Sequence, residues 1–171
     1  MNKIILIVCY SFSSFSLIAQ TSKTSPSEKI TKQFEGSWSL VAVENINADS
    51  TRSFPYGKDP VGLLIFADNG DYAIQILKAV RPKVAANDKN KATAEENLAL
   101  VQSNNSHFGK YSVDANNHMI TFNVEHAFYP NWEGVIQKRS YTLESNVLRY
   151  VVTQTTNGGA TTAVVVWKRK P

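Results

Sequence analysis

The 171-residue chain holds one cysteine, Cys9, and that scarcity excludes a good deal of chemistry. Cys9 falls in an N-terminal stretch that reads as a cleaved leader, so the remaining chain would carry no disulfide and no thiol nucleophile. Histidine is nearly as sparse: His107, His118 and His126 stand 11 and 8 residues apart. Neither H-x-x-x-H nor H-E-x-x-H occurs, so no metal site is expected. G-x-S-x-G is missing as well, and no glycine-rich loop opens a helix; Gly158-Gly159 follows a strand and reads as a hairpin turn. Neither a catalytic residue nor a cofactor is assigned on these grounds.

Charge of one sign is also in short supply. The formal charge is +4, and Lys168, Arg169 and Lys170 at the C-terminus carry three of those positive charges. No stripe of Lys and Arg interleaved with aromatics runs elsewhere, which argues against a nucleic-acid partner. A membrane-spanning run is missing too. Ile4 to Tyr10 is apolar, but it is short and leads into the serine-rich stretch Ser11 to Ile18. With Met1-Asn2-Lys3 before it and Ala19-Gln20 after it, this run predicts a secretory signal peptide over 1–20. Export to the periplasm or the extracellular space follows, with no stable membrane insertion after cleavage. Thr21 to Glu28 (T-S-K-T-S-P-S-E) is small, polar and Pro-containing, so 21–33 reads as a flexible leader and 34–171 as one domain.

What that domain contains is strand signal. Hydrophobic content of 43% and charged content of 19% are ordinary for a packed globule. Gly36 to Glu44 and Gly62 to Phe66 read as strands, and Asp68-Asn69-Gly70 as a hairpin turn into Asp71 to Lys78, where Tyr72, Ile74 and Ile76 share a face. Thr93 followed by Glu96 forms a capping box that opens a helix through about Ser103, ended by Asn104-Asn105. Five further strands follow: His107 to Asp114, His118 to Phe128, Val135 to Leu143, Val147 to Gln154 and Thr162 to Arg169. In the second of these Ile120, Phe122, Val124, His126 and Phe128 alternate onto one face. The result is an all-β fold of eight short antiparallel strands and one helix. A closed barrel fits, because closure leaves no sheet edge, and eight strands enclose room for side chains or one small ligand.

Several motifs carry a resemblance. Gly36-Ser37-Trp38 on the first strand looks like the G-x-W motif of lipocalins, and Arg169 sits where lipocalins place an Arg over that Trp. The run F-A-D-N-G-D-Y-A-I-Q-I (Phe66 to Ile76), T-A-E-E-N, H-F-G-K-Y-S-V-D, P-N-W-E-G-x-x-Q-K-R (Pro130 to Arg139) and the closing W-K-R resemble the bacterial lipocalin-like domain family over nearly all of the domain. The resemblance implies a single lipocalin-like β-barrel. Many members carry histidine in the strand before P-N-W; here the matching positions are Phe122 and Asn123, so no role is carried over from those histidines.

The residues themselves suggest where a ligand would sit. Arg139 shares a face with Val135, Gln137, Tyr141 and Leu143. Turned inward it would need a carboxylate, a carbonyl or an anionic ligand head group; turned outward it would be a solvated surface arginine. His126 at the rim is either a ligand contact or a packed histidine. Tyr72, Tyr111, Tyr141 and Tyr150 stand where rings line a cavity or simply pack, and Phe122 joins them. The candidate ligand-binding set is therefore Tyr72, Tyr111, Phe122, His126, Arg139 and Tyr141. The remaining rings of H-A-F-Y-P-N-W-E-G (His126 to Gly134) are expected to cap one end of the barrel. Three functions stay open: a binder of a small hydrophobic or amphipathic molecule, a side-chain-filled barrel acting through its surface, and an isomerase or hydratase using His126 or a tyrosine.

Overall fold

The computed structural model describes residues 31–153, 155 and 161–171; the expected signal peptide, most of the expected leader and the expected turn at Gly158-Gly159 lie outside the described residues. Nine strands and one α-helix follow in order: β1 (Gly36–Ile46), β2 (Arg52–Ser53), β3 (Val61–Phe66), β4 (Asp71–Leu77), α1 (Ala94–Gln102), β5 (Asn104–Asp114), β6 (Met119–Ala127), β7 (Ile136–Glu144), β8 (Val147–Val152) and β9 (Thr162–Arg169). From β3 onward each strand pairs antiparallel with the next, β1 pairs β3, and β9 returns to β1 from Trp38↔Arg169 to Ile46↔Thr162. That last pairing closes an eight-stranded barrel. The ninth strand, β2, is a two-residue ribbon on the far end of β1.

Alternation places the core as expected. On β4, Tyr72, Ile74 and Ile76 are buried while Ala73 and Gln75 are exposed. The β3–β4 hairpin turns through Asn69-Gly70, where Gly70 takes φ +83°, the left-handed conformation that glycine adopts without steric cost. The capping box of α1 has both of its bonds: Glu96 N–H donates to Thr93 Oγ1 at 3.2 Å, and Thr93 N–H donates to Glu96 Oε2 at 2.9 Å. The helix buries no residue, so its Leu98 and Val101 are not core. It hands over directly to β5, which starts at Asn104 rather than His107 because Asn104 and Asn105 pair with Leu77 and Ile76.

One end of the barrel is filled. Phe34 lies T-shaped against Phe66 at 5.9 Å and Tyr141 at 4.9 Å, and Tyr111 tilts onto Phe66 at 4.5 Å. Trp38 is fully buried and its indole N–H donates to the Phe34 carbonyl at 2.9 Å. The Arg169 guanidinium lies 4.2 Å from the Trp38 ring and donates to the carbonyls of Gln33 and Glu35 and to Asn146 Oδ1. The pairing of G-x-W with the terminal arginine thus seals this end.

Alternation shifts at a β-bulge on β1, between Leu40 and Ala42, and at another on β6, and the second displaces His126. Along the β5–β6 pair, Phe108 faces His126 but Gly109 faces Val124, so Glu125 is an extra residue in a β-bulge. Gly109 permits this bulge: a Cβ there would stand 2.1 Å from the Asn123 carbonyl oxygen and 2.8 Å from the Glu125 nitrogen. Beyond the extra residue the inward set changes. Ile120, Phe122 and Val124 remain buried, whereas His126 and Phe128 are exposed on the outside of the barrel. The expected shared face of His126 with Phe122 and Val124 is therefore corrected.

Candidate functional site

Opposite the sealed end the barrel holds a cavity of about 430 Å³. Its apolar wall comes from inward positions of several strands, among them Val43, Ile74, Ile76, Val152 and Val165. Its polar lining gathers Asn45, Asn105, His107, Gln137 and Arg139. Trp132 reaches its mouth from the 3-10 turn Pro130–Trp132, with its ring 5.7 Å from His107.

Arg139 is the unusual member. It lies on β7 opposite Ile120, is 7% exposed, and points into the barrel. Its guanidinium carbon sits 5.7 Å from the Phe122 ring and 5.3 Å from the Tyr150 ring. Nη2 donates to Gln137 Oε1, while Nε–H is buried with no acceptor among the described residues. None of the ion pairs among the described residues includes Arg139. Burial pulls its pKa below the usual arginine value, and the Tyr150 and Tyr72 hydroxyls push the other way. An arginine stays protonated in proteins, so a positive charge with one neutral acceptor faces the cavity.

Beside it stands a histidine that the sequence reading passed over. His107 is buried on β5, and its Nδ1 shares a 2.8 Å hydrogen bond with the Tyr72 hydroxyl. Burial, with a contribution from Arg139, drops its pKa to about 3, so the ring is neutral at pH 7. Burial also raises the pKa of Tyr72, partly offset by the Arg139 charge. The missed signal was parity: His107, Gly109 and Tyr111 lie at alternate positions of one strand, and all three are buried.

The six residues named from the sequence separate into four groups. Arg139 lines the cavity. Tyr72 and Phe122 pack behind its lining rather than in it, with rings 4.7 Å apart and Phe122 6.1 Å from His107. Tyr111 and Tyr141 lie toward the sealed end. Tyr111 donates its hydroxyl to the Ala67 carbonyl at 3.1 Å, and burial pushes its pKa to about 12. Tyr141 packs on Phe34 and His118. His126 is outside, 3.4 Å from Glu133 Oε1 and with its ring 5.5 Å from Phe108, so it is not placed to act as an acid or base in the cavity. Of the rings in the P-N-W loop only Trp132 covers the cavity; Phe128 and Tyr129 stand exposed. Among the described residues, no group of three or more His, Cys, Asp or Glu side chains is arranged to hold a metal ion.

The profile of the lipocalin-like domain family matches residues 35–170. Among solved structures, a lipocalin-like protein from Bacteroides uniformis ATCC 8492 is similar at 15% identity and a TM-score of 0.42, covering 80% of this chain and 98% of its own. No curated protein matches the chain.

Proposed function

We infer that this chain, which belongs to the lipocalin-like domain family, is an exported protein that holds one small, largely apolar molecule in its barrel. The observation that carries this reading is the cavity of about 430 Å³ at the unfilled end, where apolar side chains such as Val43, Ile74 and Val165 stand beside polar ones such as Asn45, Asn105, His107 and Arg139. Small-molecule sites have volumes of roughly 300–1,000 Å³, and polar groups among apolar walls fix a ligand's orientation there. The aromatic plug of Phe34, Trp38, Phe66 and Tyr111 supports the same division of labour, because it fills the other end and the open volume lies at this one. Export is supported by the charged, then apolar, then small-residue order of residues 1–20.

Native mass spectrometry of the protein purified from its own host tests both parts. The expected spectrum shows a chain lacking about its first 20 residues with a bound mass of small-molecule size. Full-length, unliganded protein that takes up no fluorescent fatty-acid probe would count against both.

A further inference from the structure

We propose that the cavity selects a ligand carrying a single carboxylate, which pairs with Arg139 at the floor while an aliphatic body lies along Val43, Ile74, Ile76 and Val165. This rests on the reading of the barrel as a binding cavity and deepens it. The first support is the state of Arg139 itself. Its guanidinium has five N–H donors, yet among the described residues only the Gln137 amide oxygen accepts one, and Nε–H is buried without an acceptor. A buried charge with no opposite charge is costly, and leaving it so in the folded chain makes sense where a ligand supplies the missing anion.

Shape and charge then select among anions. The guanidinium fork is planar and matches the two oxygens of a carboxylate side by side. His107 stands at the same wall and is neutral at pH 7, its Nδ1 engaged by the Tyr72 hydroxyl. Lys138, on the same strand, also borders the cavity, but its side chain is exposed to solvent rather than buried. The buried cationic charge at the floor is thus one unit, which a monoanion neutralises and a phosphate dianion overshoots. The ring faces of Phe122 and Tyr150 hold the guanidinium from the sides, so the fork is fixed before a ligand arrives.

The test compares four probes that share a ten-carbon chain and differ in head group: decanoate, decanol, methyl decanoate and decyl phosphate. Isothermal titration at pH 7.5, with Trp132 fluorescence as a second readout, is run on wild type and on Arg139→Met. Decanoate is expected to bind on the order of 30-fold tighter than the alcohol and the ester, and tighter than the phosphate. Arg139→Met is expected to bring decanoate down to the alcohol's affinity and leave the alcohol unchanged. Equal binding of all four probes by wild type would overturn the head-group assignment while the cavity reading stands. Tighter binding of decyl phosphate would overturn the choice of a monocarboxylate. Failure of every probe to bind would overturn both readings. The wild-type comparison needs no variant, so it decides the question even if Arg139→Met does not fold.

Discussion

Arg169 and Arg139 sit at opposite parts of the same barrel, each against aromatic rings, and they differ in what their guanidinium groups find there. Arg169 lies over Trp38 at the sealed end and donates to two main-chain carbonyls and to Asn146. Arg139 lies between Phe122 and Tyr150 at the cavity floor and finds one amide oxygen. The first arginine is satisfied by the chain and holds the fold. The second is left with donors to spare where a ligand can enter. Like residue types on like rings therefore do different work, and the hydrogen-bond partners separate the two.

Breaking the sealed end should have the largest effect. Trp38→Ala removes a fully buried indole and its bond to Phe34, and should lower the unfolding free energy by roughly 3–5 kcal/mol in urea titration. A loss below about 1 kcal/mol would mean that the plug does not anchor the barrel.

A pH titration probes the cavity side. His107 has a folded pKa near 3 against 6.5 in the open chain, so between those values the unfolded state binds the extra proton. Stability should therefore rise with pH across that window and be lost as pH falls through it. The slope contributed by this one residue approaches about 1.4 kcal/mol per pH unit. The measurement is the difference in unfolding free energy between wild type and His107→Gln at several pH values. It should shift in favour of the variant as pH falls from about 7 toward 3.5, and a flat difference would mean that His107 titrates normally.

Arg169→Met should cost about 1–3 kcal/mol, since it removes charge-assisted hydrogen bonds to the part-buried Glu35 carbonyl and the exposed Gln33 carbonyl and the guanidinium over Trp38. The smallest effect belongs to His126→Ala. Its side chain is exposed on the outer wall, so stability should move by less than about 0.5 kcal/mol and probe binding should not move. A marked loss of binding would place the ligand site on the outside of the barrel instead.

Much of the fold was legible in the sequence, for physical reasons that can be named. Asn-Gly at 69–70 permits few conformations besides a tight hairpin, and Thr93 with Glu96 satisfies the first N–H groups of a helix. Tyr72, Ile74 and Ile76 keep strict parity because their strand has no bulge. Where parity broke, the reading broke with it. The extra residue Glu125 turned His126 outward, and the signal for it was Gly109 on the neighbouring strand, which becomes meaningful only once the two are paired. The two-residue β2 is too short to show any periodicity. At the candidate site, Arg139 could be placed on a face but not inside or outside, since Val135, Gln137, Arg139 and Tyr141 mix polar and apolar types. His107 went unassigned because its alternation with Gly109 and Tyr111 reads as an inward face only once the neighbouring strands are paired.

The unfolding free energy of ligand-free Arg139→Met against ligand-free wild type tests most directly whether the cavity floor carries an unbalanced charge. If the guanidinium waits for an anion, replacing it with an apolar side chain should leave the empty protein equally stable or up to about 1–4 kcal/mol more stable. A loss of about 3 kcal/mol or more would show that the protein itself already satisfies Arg139, and would contradict the account.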